Sequence, residues 1–158
     1  MERNWEMDIR VMTIDDYDKL YELWMMIRGF GIRSIDDSRE GVERFLRRNL
    51  TTSVTAWEGD LLIGAILCGH DGRRGCFYHV CVRKGYRRHG VGKAMVVACM
   101  EALRAEQINK VSLIAFTKND IGNAFWNKIG WTKRQDLNYY DFTLNEKNIT
   151  AFIEEEDI

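Results

Sequence analysis

Proline is absent from these 158 residues. No low-complexity segment stands in for it, so nothing reads as a linker between domains. Long apolar runs are missing as well. None approaches the ~20 residues that a membrane-crossing helix needs, so no membrane partner is expected. Met1 to Asp8 is charged and lacks the apolar centre of a signal peptide, which makes the expected location cytoplasmic. There is no excess of one charge: 23 Lys and Arg stand against 24 Asp and Glu, a net charge of −1. That balance argues against a general nucleic-acid binder, which would be basic overall. Cysteine is sparse. Cys68, Cys76, Cys81 and Cys99 all lie in apolar segments and read as reduced, buried thiols. Cys76, His79 and Cys81 are close in sequence, but Cys76 and Cys81 point to opposite faces of a strand. No metal site is expected there.

What is present is an ordinary globular mixture, 46% hydrophobic and 30% charged, long enough for one domain with a sizeable core. Its most informative stretch is Val80-Cys81-Val82-Arg83-Lys84-Gly85-Tyr86-Arg87-Arg88-His89-Gly90-Val91-Gly92-Lys93-Ala94. An apolar strand enters it and an apolar helix leaves it. Five cationic side chains fall in the span between (Arg83, Lys84, Arg87, Arg88 and Lys93). Glycines allow tight turns and close approach of the backbone to a ligand. The first turn of the following helix offers unpaired N–H groups, a site for an anion. The stretch therefore reads as a phosphate cradle.

The remaining pattern gives the element order. Met7 to Met12 alternates like a strand. Thr13 caps a helix running to about Arg28, and Ser38 caps a second from Arg39 to Asn49. Ser53–Trp57 and Leu61–Cys68 are strands joined by a tight Glu58-Gly59-Asp60 turn, the second so apolar that it should be central. The His70–Gly75 turn, with its Asp71-Gly72, leads into a strand from Cys76 to Val82. A helix over Gly92–Glu106 and a strand over Lys110–Phe116 complete a right-handed crossover, with these two strands parallel. Asn119–Ile129 reads as a loop entering a short helix, with Gly130 as its C-cap. Trp131–Leu137 and Tyr139–Leu144 read as a closing antiparallel pair, and Glu154–Asp157 as a frayed tail. The expected fold from this order is an α/β sheet of mixed direction.

The glycine spacing fits neither a Rossmann fingerprint nor a P-loop. Gly92-Lys93-Ala94 lacks the hydroxyl that the latter uses to hold Mg²⁺. Val82-x-x-x-Tyr86-Arg87-Arg88-x-Gly90-Val91-Gly92 instead resembles the acetyl-CoA diphosphate loop of the GCN5-related N-acetyltransferase (GNAT) superfamily. A second segment follows at the right distance. Asn119-x-x-Gly122-Asn123-Ala124-Phe125-Trp126-Asn127-Lys128-Ile129-Gly130-Trp131 is similar to the family's N-x-x-A-x-x-F-Y-x-x-x-G-F pattern. Gly69-His70-Asp71-Gly72-x-x-Gly75 resembles small bacterial enzymes of the ribosomal-protein acetyltransferase and YpeA type.

The resemblance implies one acetyltransferase domain over 1–158, of α/β (α+β) class, with a mixed, mostly antiparallel central sheet, a splayed parallel strand pair and about four flanking helices. It implies acetyl transfer from acetyl-CoA to a primary amine by direct attack in a ternary complex, without a metal. The acceptor would be a small molecule, a peptide or a protein, and a homodimer is common in such a family. The cosubstrate would touch Val80, Cys81, Val82, Arg87, Arg88, His89, Gly90, Val91, Gly92, Lys93, Asn119, Asn123 and Trp126. His79 and Tyr78 are the candidate bases. Imidazole has the more suitable ordinary pKa, but strict alternation puts Tyr78, not His79, on the face of Val80 and Val82. A bulge would change that. The family's usual general-acid tyrosine is replaced by Trp126, which cannot protonate a thiolate. That departure supports an alternative reading, a CoA-binding sensor or interaction module with little turnover. Trp24, Phe30, Arg33, Asp36 and Asp37 are the expected acceptor walls, with the two acids suited to a cationic amine.

Overall fold

The computed structural model describes residues 6–153. The acidic tail expected over Glu154–Asp157 lies outside them. Five strands form the main sheet: β1 (Asp8–Val11), β3 (Val54–Glu58), β4 (Leu61–His70), β5 (Gly75–Val82) and β6 (Val111–Leu113), side by side in that order. All neighbours are antiparallel except β5 and β6. As its apolar run requires, β4 is central, and Leu62–Gly69 is buried throughout.

Helices cover both faces. On one face, α1 (Tyr17–Met25) and α2 (Arg39–Arg48) pack a core containing Leu20, Leu23, Trp24, Val42, Leu46 and Cys81. The Ser38 hydroxyl accepts the Gly41 N–H at 3.1 Å, so the expected cap forms. On the other face, α3 (Val91–Ala105) buries the stripe Val91, Met95, Val96, Cys99 and Leu103. These meet Phe77 and the half-buried Val80, Val82, Phe125 and Trp126. The last helix, α4 (Asp120–Lys128), ends at Gly130, whose φ of +91° supplies the expected left-handed C-cap. All four cysteines are free thiols. No described helix is long and apolar enough to cross a membrane.

The expected closing pair at Trp131–Leu137 and Tyr139–Leu144 does not form. Residues 132–147 are exposed, and no described residue in them belongs to a strand. Tyr140 and Phe142 are each 87% exposed despite their alternating, strand-like pattern. Fixed contacts at both ends override local propensity here. Trp131 is held in an aromatic cluster with Phe77 and Trp126. Beyond the exposed span, Asn148 accepts the N–H groups of Ile35 and Asp36 through Oδ1. The strand pair that does form is one that local pattern did not suggest. β2 (Gly31–Arg33), between the two helices expected from the sequence, pairs antiparallel with β7 (Thr150–Phe152). β6 is likewise shorter than the expected Lys110–Phe116.

Candidate acyl-transfer site

The site is built where β5 leaves its neighbour. Pairing between β5 and β6 covers Gly75–Phe77 and Val111–Leu113 only. From Tyr78 to Val82, β5 keeps β4 alone as its described partner, so one strand edge stands open. At the same point β5 is bulged. Tyr78 lies opposite Leu67 and Cys81 opposite Ala65, which leaves His79 and Val80 together facing Ile66. His79 takes a φ of +50°, a left-handed conformation uncommon outside glycine. The bulge moves Tyr78 rather than His79: Tyr78 packs on Phe45, on the side where alternation already put His79. Val80 and Val82 join the α3 face, while His79 meets Trp24 and Phe30 on the α1 side.

His79 is the centre of that side. Its Nε2 lies 2.8 Å from Asp37 Oδ1, and the two side chains are 10% and 5% exposed. The other Asp37 oxygen accepts the Arg33 N–H at 2.6 Å. The Tyr17 hydroxyl donates to the Asp37 carbonyl at 2.7 Å. Phe30 and Trp24 rings stand 4.6 and 4.9 Å from the imidazole. No described residue bonds to His79 Nδ1. If Nε2–H donates to the Asp37 carboxylate, Nδ1 is left as the acceptor.

Two expected acceptor walls thus have different positions. Asp37 is buried against His79 and does not stand open to an acceptor. Trp24 is fully buried and forms a floor beneath His79; its indole N–H has no hydrogen-bond partner among the described residues. Phe30 stacks on His79, and Arg33 is exposed. Asp36 accepts Asn148 Nδ2–H at 2.8 Å. Tyr78 packs edge-on to Phe45 of α2. Burial, followed by its hydrogen bond with Cys76, pushes the Tyr78 phenol up to about 12.

The loop beyond Val82 has the form that anion binding requires. Arg83 is committed to structure: its N–H and Nε–H reach the Ile63 and Leu62 carbonyls at 2.7 and 3.0 Å. Arg87 Nε–H turns back to the Val82 carbonyl at 3.2 Å. Positive φ values at Gly85, Arg88 and Gly90 curl the backbone round the start of α3. The first i→i−4 bond of α3 runs from Ala94 N–H to the Gly90 carbonyl, so Val91, Gly92 and Lys93 precede the bonded turns. A Cβ at Gly90 would meet nothing, whereas one at Gly92 would meet the Phe125 ring at 3.1 Å. Arg88, His89 and Lys93 are exposed. Val91 contributes backbone only, because its side chain is core. Cys81 likewise faces the α1 core, where burial pushes its thiol up to about 12.

On the far wall, Asn119 caps α4 by accepting the Gly122 N–H, and Asn123 Nδ2–H donates to the Phe116 and Asn119 carbonyls. Both side chains are therefore partly occupied in shaping the helix start. Trp126 packs with Phe125, Trp131 and Phe77. Sequence reasoning missed Tyr17, Phe116, Asn148 and Phe152. Their links to the site span many residues and carry no local pattern; Asn148, for example, reaches Asp36 across 112 positions.

A splayed parallel pair, the bulge in its first strand and a glycine-rich helix start beyond it form one architecture. The acetyltransferase (GNAT) family model matches residues 17–131, and the chain belongs to that family. An acetyltransferase of Sodalis glossinidius is 28% identical over 131 residues, covering 83% of this chain and 91% of that one. Two solved structures have the same fold. One is the PaiA N-acetyltransferase of Thermoplasma acidophilum in complex with coenzyme A, with a TM-score of 0.67, 18% identity and coverage of 79% and 89%. The other is the ribosomal-protein-S18-alanine N-acetyltransferase of Escherichia coli, with a TM-score of 0.65, 14% identity and coverage of 79% and 77%.

Proposed function

We propose that this acetyltransferase moves an acetyl group from acetyl-CoA to a primary amine in a ternary complex, with His79 as the proton acceptor. The observation carrying this reading is the 2.8 Å contact between His79 and buried Asp37, at the bulge where β5 opens.

The residues divide the work as follows. N–H groups from Arg88 to Lys93 and the positive end of α3 receive the diphosphate. The open edge between Tyr78 and Val82 receives the pantetheine arm, and its free N–H groups stabilise the tetrahedral oxyanion. An amine with an ordinary pKa near 10.4 is neutral in only about one molecule in 10³ at pH 7. His79 Nδ1 therefore takes the amine proton while Asp37 holds the ring. Nitrogen attacks the carbonyl carbon, the C–N bond forms and the C–S bond breaks. CoA leaves as a thiolate, which is tolerable without a dedicated acid because a thiol pKa lies near 8.5, and the second proton released by the nitrogen after attack passes to that thiolate or to solvent. Tyr78 stays protonated and is unsuited to act as a base.

The test is thiol release from acetyl-CoA with a panel of primary amines, using the wild type and His79→Gln. The proposal expects turnover in the wild type and a loss of about 10²–10⁴-fold in the variant. Tight acetyl-CoA binding with no turnover on any amine would establish the sensor reading instead.

A further inference from the structure

Granting His79 as the proton acceptor, on which this rests, we infer that Asn148 is a positioning residue of the transfer site: its amide fixes the loop that delivers Asp37 to His79. The loop runs from Arg33 to Asp37, between β2 and α2, and its two ends are tied to each other. Asp37 N–H donates to the Arg33 carbonyl at 3.0 Å, and Arg33 N–H donates to Asp37 Oδ2 at 2.6 Å. That leaves Asp37 Oδ1 for His79 Nε2, 2.8 Å away. The aim of the carboxylate therefore depends on how the short turn between these ends, Ser34 to Asp36, is held.

Two neighbours hold that turn. α2 meets its carbonyls: the helix backbone at Gly41 lies so close to the Ile35 and Asp36 oxygens that no Cβ fits between them. Asn148 meets its N–H groups. Oδ1 accepts from Ile35 N–H at 3.0 Å and from Asp36 N–H at 3.1 Å, while Nδ2–H donates to Asp36 Oδ2 at 2.8 Å. One amide thus uses both its ends on the two residues that precede Asp37. The chain on either side of Asn148 is fastened to the same loop. Ser34 N–H donates to the Ile149 carbonyl, Ile149 N–H to Ser34 Oγ, and the Ser34 hydroxyl to the Lys147 carbonyl. After the exposed span 132–147, Asn148 is the first residue to be partly buried again. Without its amide, water can satisfy the two N–H groups but does not hold them in one direction. A misplacement of ~1 Å is enough to cost about 10²-fold in rate. Tyr17, which donates to the Asp37 carbonyl from α1, stays in place, so losing Asn148 loosens the pair without removing it.

The experiment reads rate, ring tautomer and rescue. Asn148→Ala should lower kcat by about 10- to 10²-fold, with KM for acetyl-CoA changed less than about twofold, because the diphosphate cradle belongs to another element. In the His79→Gln background the same change should cost little, since residues acting as one unit are non-additive. Nitrogen-15 NMR at about pH 9, where an ordinary imidazole is neutral, follows the signal that disappears in His79→Gln. It should show a single tautomer protonated at Nε2 in the wild type and a mixture in Asn148→Ala. Asn148→Asp sets a carboxylate against that of Asp36 and should slow the reaction as Asn148→Ala does. Adding Asp36→Asn puts a donor opposite an acceptor again and should bring kcat back to within about threefold of wild type; this pair decides the matter should Asn148→Ala not fold. A kcat within about twofold of wild type in Asn148→Ala, or no recovery in the paired exchange, overturns the assignment. So does a lowered Tm with one unchanged tautomer and normal kcat in the folded protein, which makes Asn148 a structural residue only. A wild type that turns over no amine, with a tautomer that still shifts in Asn148→Ala, keeps the positioning role and refutes the transfer reading, so the two failures are distinguishable.

Discussion

Asp37→Asn is the most informative single change, because it keeps the shape of the side chain and alters only what the carboxylate can accept. In the native site, one oxygen faces His79 Nε2 at 2.8 Å and the other the Arg33 N–H at 2.6 Å. An amide has one oxygen. If that oxygen stays with the Arg33 N–H, the NH₂ group faces His79 and forces Nε2 to accept, which moves the ring proton to Nδ1. The proposed base is then blocked without being removed. A hydrogen bond to a charged group contributes about 1.5–3 kcal/mol, and the variant keeps a neutral one in its place. The expected stability loss is about 1–2 kcal/mol, or a fall in Tm of about 2–8 °C for a chain of this size. The catalytic loss should be far larger, about 10²-fold or more in kcat. KM for acetyl-CoA should hold, since the Arg88–Lys93 cradle belongs to a different element. A purely structural role predicts the reverse: lowered Tm with near-normal kcat in the folded fraction. The double variant with His79→Gln decides the point. Residues acting as one unit are strongly non-additive, so Asp37→Asn should cost little once His79 is gone. Independent, multiplying losses would refute the pairing, as would kcat/KM within threefold of wild type in the single variant.

Three further outcomes follow from the same geometry. Gly90→Asp places a carboxylate in the diphosphate cradle, at a position with open space and a φ of +81°. At ~5 Å and an effective dielectric of about 20, the repulsion is about 3 kcal/mol, so calorimetry should show acetyl-CoA affinity falling about 10²-fold; a change under threefold would place the diphosphate elsewhere. Gly41→Ala should destabilise by about 2–3 kcal/mol in urea titration, because a Cβ there runs into the backbone carbonyls of Ile35 and Asp36, and an unchanged midpoint would show that the loop yields. Tyr78 is held protonated in the folded chain, its phenol raised to about 12 mainly by burial. Its contribution to stability is fully present below the unfolded value near 10 and is lost as pH rises from there toward 12. Tyr78→Phe should therefore flatten the alkaline limb of the Tm–pH curve and leave the rate profile below pH 10 unchanged in shape; a shifted profile would give Tyr78 a titrating role.

How much could be read beforehand depended on whether the determining contact was local. Ser38 capping α2, Gly130 ending α4 and the buried run of β4 each follow from a few adjacent residues, and all three stand as expected. The glycines at 90 and 92 sit at a strand-to-helix turn that the sequence itself announces. The bulge at His79 was a different matter. Period-two alternation puts His79 and Tyr78 on opposite faces, and only the register against β4 reverses that inference. Tyr139–Leu144 failed in the opposite sense. Its alternation is a good strand signal, but a strand also needs a partner edge, and the anchoring of Trp131 and Asn148 carries the chain across open solvent instead.

The same distinction explains why the two halves of the site differ in what they disclose. A diphosphate is recognised largely by backbone N–H groups at a helix start, and local glycine and charge spacing records that arrangement. The proposed acceptor side is assembled from β5, the segment after α1, the loop before α2 and the C-terminal strand. They are joined by His79 to Asp37, Asp36 to Asn148, and Phe152 to Phe116. Each contact takes an apparently available group out of play or adds one that no local pattern marks. Two neighbouring aspartates look like a cation site until their partners are known. Asp37 is bonded to His79 and Asp36 to Asn148, contacts that no local pattern marks.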